Sequence, residues 1–191
     1  MLEINHGLLH RRSTFRGLAG GLLLLCFLLT GCGASILDVT AKGDVGTLEI
    51  MLAESAESMQ IRNDLGQSAI HYAALHNRLD SLKVLLAHQV DLNAQDGTGL
   101  TALHIAAVGD HVHIVRALIE AGAYTSIRDN FGDTALHSAA IHGSVRATKE
   151  LLKAGLHVGQ LNDAGLSSVD LARKFKHQEV VVILEEVLKV E

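Results

Sequence analysis

Three histidines stand in this chain at a fixed step. His71, His104 and His137 each close a four-residue phrase, Ser68-Ala69-Ile70-His71, Thr101-Ala102-Leu103-His104 and Thr134-Ala135-Leu136-His137, and the phrases begin 33 residues apart. Imidazole titrates near neutrality and ligates metals, so a recurring histidine invites a metal site or a proton-transfer role. Other reactive residue types lie nearby: His111-x-His113, the glycine-rich Gly97-Thr98-Gly99, and Ser167-Ser168 beside Asp170. They do not assemble into a nucleophile, a base and an acid. Gly97-Thr98-Gly99 lacks the lysine and the longer glycine spacing of a phosphate loop. On a helix the side chains of His111 and His113, at i and i+2, diverge by roughly 200°.

The spacing explains the histidines better than chemistry does. A fourth, decayed copy of the phrase, Ser167-Ser168-Val169-Asp170, falls on the same step. Gly66, Gly99, Gly132 and Gly165 precede the four copies by two residues, and Asn63, Asp96, Asp129 and Asn162 lie three residues before those glycines. A fixed period of this length describes a stack of small units rather than one closed core. In the unit that starts at Asp96, Asp96-Gly97-Thr98-Gly99 is turn chemistry, and Thr101 stands where its hydroxyl caps a first helix. Leu103, Ala106 and Ala107 face the neighbouring layers, Asp110 lies at the turn between helices, and Ile114, Val115, Leu118 and Ile119 give a second helix its apolar side. Gly122 then fits the helix end. Layers a helix-packing distance of ~10 Å apart do not bring one histidine each within ~2.1 Å of a shared zinc. Composition agrees: apolar residues make up 48%, but aromatics only 3%, with no Trp and no Pro.

The Thr-x-Leu-His phrase, with alanines two and three residues further on, resembles the ankyrin repeat. The resemblance covers residues 34–191, in units of about 34–62, 63–95, 96–128, 129–161 and 162–191. It implies an all-α solenoid of about five helix-turn-helix units with short β-turn or hairpin connections. The family usually has proline after the cap, where Ala69, Ala102 and Ala135 stand here. It implies a structural role for His71, His104 and His137, whose side chains bond backbone and steady the turns between units. No cofactor, metal or catalytic residue is expected, and the chain reads as non-enzymatic.

In that family the partner meets the turn tips and the outward side of the first helices. On this chain those positions hold Leu65, Leu75, His76, Leu100, Val108, Phe131, Asp133, Ile141, His142, Leu166 and Phe175. Such a series is apolar for a surface and has acidic neighbours, as a protein-binding groove would. Arg173, Lys174 and Lys176 make the last unit a polar cap.

Residues 1–31 form a separate object. Arg11, Arg12 and Arg16 precede an apolar run from Leu18 to Leu29 that ends in Leu29-Thr30-Gly31-Cys32. A membrane span needs about 20 apolar residues, so the segment reads as a secretory signal. Leu-Thr-Gly-Cys resembles the lipobox of bacterial lipoproteins, which implies cleavage before Cys32 and lipid on its thiol. Residues 32–36 then form the anchor and tether, and 37–191 the repeat domain. Loss of Cys26 with the leader leaves the repeats without thiols, suited to an oxidising compartment. Removing Arg11, Arg12, Arg16 and Glu3 takes the formal charge from −5 to −7, which argues against nucleic acid as a partner. The expectation is a monomeric, lipid-anchored protein-binding module with its repeats in the periplasm. Gly33 after the anchor favours the outer membrane over the inner. An immunity protein that neutralises a toxin acting in the periplasm is the alternative.

Overall fold

The computed structural model describes residues 35–189. The leader over 1–31, the anchor Cys32 and the tether up to Ala34 lie outside them, as do residues 190 and 191. Five pairs of antiparallel helices follow one another: α1 (Ile36–Lys42) and α2 (Val45–Glu54), α3 (Ala69–Leu75) and α4 (Leu79–Ala87), α5 (Ala102–Val108) and α6 (Val112–Glu120), α7 (Ala135–His142) and α8 (Val145–Lys153), α9 (Ser168–Lys174) and α10 (Gln178–Leu188). A 3-10 turn, Ala56–Gln60, leads out of the first pair. The first helices of successive pairs pack on one another as an inner row and the second helices as an outer row. The described helices include none long and apolar enough to cross a membrane.

Alanine sets how closely these layers approach. Ala73, Ala74, Ala106, Ala107, Ala139 and Ala140 are all 0% exposed, two in each inner helix of the central units. A side chain of one carbon lets neighbouring helices come near without a cavity between them. Larger side chains fill the space between rows, among them Ile70, Leu82, Leu103, Ile114, Leu118, Leu136 and Leu151, all fully buried. Aromatics are absent from that set because the layer is thin.

Each turn between pairs is built by one Asx side chain. Asp96 Oδ1 accepts from the backbone N–H groups of Thr98 at 2.9 Å and Leu100 at 3.1 Å. Asn63, Asp129 and Asn162 do the same in their turns. The tips then join across layers by backbone bonds: Gly97 N–H to Leu65 O at 2.8 Å, Asn130 N–H to Thr98 O at 3.1 Å, and Asp163 N–H to Phe131 O at 3.1 Å. Gly99 meets both demands of this arrangement. Its φ is 82°, and a Cβ there would lie 2.8 Å from the Asn130 nitrogen. Among the described residues the connections are turns rather than paired strands. The hairpin expectation reduces to one isolated bridge, Leu161 with Ser167.

The turn inside each pair places one residue in the left-handed region: Asn77, Asp110, Gly143 and Lys176 occupy it at matching positions. The first pair makes this turn with one residue fewer, through Gly43 and Asp44.

The last unit departs from its template at Ser168. Ala69, Ala102 and Ala135 hold the equivalent position. Ser168 is 0% exposed, and its Oγ has no hydrogen-bond partner. A buried hydroxyl without a partner costs roughly 1–3 kcal/mol in desolvation. Ser168→Ala is therefore expected to raise unfolding stability by about 1 kcal/mol, read from urea titrations at unchanged slope. A lower midpoint would show that the hydroxyl is satisfied in solution.

Candidate functional site

The recurring histidines occupy the third position of their inner helices, where each closes a capping box with the Ser or Thr that precedes the helix. The backbone N–H of Ser68 donates to His71 Nδ1 at 3.1 Å, and those of Thr101 and Thr134 donate to His104 and His137 Nδ1 at 3.2 Å. A backbone N–H only donates, so Nδ1 carries a lone pair and the ring proton sits on Nε2. That proton reaches across to the following turn. His71 Nε2 donates to Leu100 O at 3.1 Å, His104 Nε2 to Asp133 O at 3.1 Å, and His137 Nε2 to Gln160 O at 2.9 Å. Both ring nitrogens are thus engaged, and the rings are 0–2% exposed. Nothing remains on them to ligate a metal or accept a proton from a substrate.

The two end units carry aspartate at this position. Asp170 Oδ2 accepts from the Ser167 N–H at 3.0 Å, and the Asp170 N–H donates to Ser167 Oγ at 3.2 Å. The fourth phrase is therefore a complete capping box and not a decayed one. Ser35 and Asp38 form the same box at the other end, in a copy of the phrase that carries no Thr, Ala or His to mark it.

His111 and His113 separate as expected, but for another reason. His111 precedes α6 with φ −81° and ψ 69°, and its ring lies against Gly109. Among the described residues no three His, Cys, Asp or Glu gather in metal-binding geometry.

The expected partner face divides when its side chains are placed. Phe131 at 70% and Leu65 at 63% project fully from the tips of their turns, and Leu75 and Phe175 are exposed at the ends of their inner helices. Leu100, Val108, Ile141 and Leu166 are half-buried, resting on adjacent layers. His76 and His142 are exposed; the His76 ring lies 5.8 Å from that of Tyr72, and His142 Nδ1 sits 3.0 Å from Ser138 O. Asp133 does not belong to this face. It is 7% exposed, and its Oδ1 accepts from Asn162 Nδ2 at 2.7 Å, so it locks the next turn. Lys174 Nζ lies 5.8 Å from the centre of the Phe175 ring.

The acidic tip residues Asp96 and Asp163 are likewise engaged, while Asp64 is exposed. Hydrogen bonds from Thr98 and Leu100 hold the Asp96 carboxyl below the usual carboxylate range, against the effect of its burial. Arg128 pairs with Asp163 at 2.6 Å and donates to Gly132 O at 2.9 Å. On the outer row, Arg116 binds Glu150 at 3.0 Å and Arg146 binds Asp110 at 2.8 Å across one joint. Hydrogen bonds from Arg116 and Lys153 bring the Glu150 carboxyl down to about 2.

Side chains preceding the outer helices form a second set of ties, which sequence spacing alone did not reveal. Arg78 Nε donates to Ala41 O at 2.8 Å, Ser144 Oγ to Val108 O at 3.0 Å, and His177 Nε2 lies 2.9 Å from Ile141 O. Their types differ, which hides a shared position at the 33-residue step. The step itself was the available signal.

A family profile for ankyrin repeats, in three copies, matches residues 35–129 and again 70–162. The chain belongs to the ankyrin-repeat family. Comparison with curated proteins finds no match. Ankyrin repeats are typically protein–protein interaction scaffolds.

The imidazole arrangement makes stability depend on pH. Burial lowers the proton affinity of His71, His104 and His137, with the neighbouring carbonyls and carboxylates offsetting part of that effect. The unfolded chain takes up these protons near pH 6.5, where the folded chain does not. Stability is fully present above that pH and falls as pH drops from about 6.5 toward the lowered folded values. Urea midpoints measured from pH 8 to pH 5 are expected to stay level and then decline below about 6.5, before Asp or Glu titrates. A level profile down to pH 5 would refute the neutral, doubly bonded rings.

Proposed function

We propose that this chain is a protein-binding repeat module held at a bacterial envelope membrane by lipid on Cys32. Its repeats stand in the periplasm, with the outer membrane favoured by Gly33. The observation that carries the binding role is Phe131, a phenylalanine 70% exposed at a turn tip whose own backbone is fixed on both sides. Its N–H donates to Asp129 Oδ1 at 2.8 Å and its carbonyl accepts from Asp163 at 3.1 Å. A rigidly presented aromatic loses little freedom on burial and anchors an interface. Ile141 and Val108, half-buried behind it, supply an apolar floor for a partner segment.

The reading as an accessory that binds an envelope protein is preferred to the toxin-neutralising one. The latter rested on an acidic rim for a basic toxin. Asp133 is buried, Asp96 and Asp129 spend their carboxylates on their own turns, and Asp163 is paired with Arg128. What supports the anchor is the sequence Leu29-Thr30-Gly31-Cys32 after a basic flank and a short apolar run. The two or three acyl chains of a lipoprotein cysteine give stable attachment where one does not.

Phe131→Asp is expected to remove capture of the envelope partner in crosslinked pull-downs while the melting temperature and helical circular dichroism stay unchanged. Loss of the fold in this variant would assign Phe131 to the core and end the interface reading. For the anchor, Cys32→Ala is expected to move the protein from the detergent phase to the aqueous phase in phase partitioning, and to abolish the acyl mass on the mature N-terminus. Unaltered partitioning would remove lipid attachment from the proposal.

A further inference from the structure

We infer that the first layer, α1 and α2 with the 3-10 turn Ala56–Gln60, opens from the stack as a separate cooperative unit while the four following layers stay closed. The joints between layers are not alike. Three kinds of tie recur after the first joint: the imidazole bridge and the backbone bond between tips at all three later joints, and the bond from the residue preceding the outer helix at two of them.

The joint between the fourth and fifth layers has all three: His137 to Gln160 O, Asp163 N–H to Phe131 O, and His177 to Ile141 O. Asn162 adds a bond to Asp133, and Arg128 an ion pair to Asp163. Among the described residues, the joint between the first and second layers lacks the imidazole bridge. Asp38 stands where the bridging histidine would be, and its Oδ2 turns back to its own cap at Ser35 N–H. By the repeat register the first unit's tip would fall on residues 30–34, outside the described residues. Among the described residues, the ties from α1 and α2 to the next layer are Arg78 to Ala41 O, on the exposed surface, and Ser81 Oγ to Thr40 O at 3.4 Å. Among the described residues no salt bridge crosses there, whereas Arg116–Glu150 and Arg146–Asp110 span the joint between the third and fourth layers.

Packing at this joint is also incomplete. A cleft of about 480 Å³ runs between the 3-10 turn and the second layer, lined by Met59, Arg62, Ile70, His88 and Val90 among others. In a linear stack each layer's stability is its own plus that of its contacts with neighbours, so a weak joint lets one end open below the energy of global unfolding. Opening here uncovers the apolar sides of α3 and α4 on which α1 and α2 pack. The fifth layer also has one neighbour among the described layers but keeps its ties, so a single neighbour does not by itself set the difference.

Native-state hydrogen exchange on the full chain tests this. Amides of α1 and α2 are expected to exchange together through one partial opening, at least tenfold faster than those of α9 and α10 at the other end. Asp38→His keeps the capping box and points Nε2, by the repeat register, at the Gln67 carbonyl. It is expected to slow exchange in α1 and α2 by about tenfold and leave α7 and α8 unchanged. Equal protection of the two end layers, exchange of α1 and α2 only by global unfolding, or no response to Asp38→His would each overturn the inference.

Discussion

The close approach of thin layers is the constraint on which this structure depends. A pair of helices seven to eleven residues long has no interior of its own and is too short to persist alone in water. It becomes stable only by laying its flat side on the next pair. That contact demands alanine at Ala73, Ala74 and their repeats, leaves Phe and Tyr out of the buried core, and brings the turn tips near enough for a glycine such as Gly99 to be required. The low aromatic content, the glycines and the alanine pairs are one requirement seen three times.

Close approach also brings polar backbone together, and the same few side chains satisfy it repeatedly. An Asx residue closes each turn, a Ser or Thr caps each inner helix, and an imidazole reaches from that cap to the next turn. A carboxylate or ring used this way is unavailable for a partner. Asp133, His71, His104 and His137 are taken up inside the stack, while the large apolar side chains that project from the tips are Leu65 and Phe131. The binding face is thus defined by what the scaffold does not need.

Most of the fold was legible because every scaffold demand recurs at one spacing. The helices and turns follow from that step, and the structural role of the three histidines from the resemblance to the ankyrin repeat. The partner face was legible only in part. Phe131 and Leu65 project as the pattern implies, but Asp133 sits at a position held elsewhere by Gln67, Leu100 and Leu166, and nothing in one sequence shows a charge being drawn inward by Asn162 of a later unit. Half-burial of Val108 and Ile141 depends likewise on how far each layer overlaps the last. The ties from Arg78, Ser144 and His177 escaped because three unlike side chains do one job. The capping role of Asp38 escaped because its phrase, Ser35-Ile36-Leu37-Asp38, has neither the alanine nor the histidine of the three central copies.

The fixed tautomer of the imidazoles has a further meaning. Every bridge leaves from Nε2 and lands on a carbonyl later in the chain, so the connection has a direction. A unit whose phrase ends in histidine is bonded forward by its ring, and a unit whose phrase ends in aspartate is not. Read in order, the phrases of this protein form a grammar: an unlinked word at Asp38, three linked by His71, His104 and His137, and an unlinked word at Asp170. Units of the linked kind are interchangeable in number but not in orientation. Duplication within them lengthens the sentence without rewriting either end.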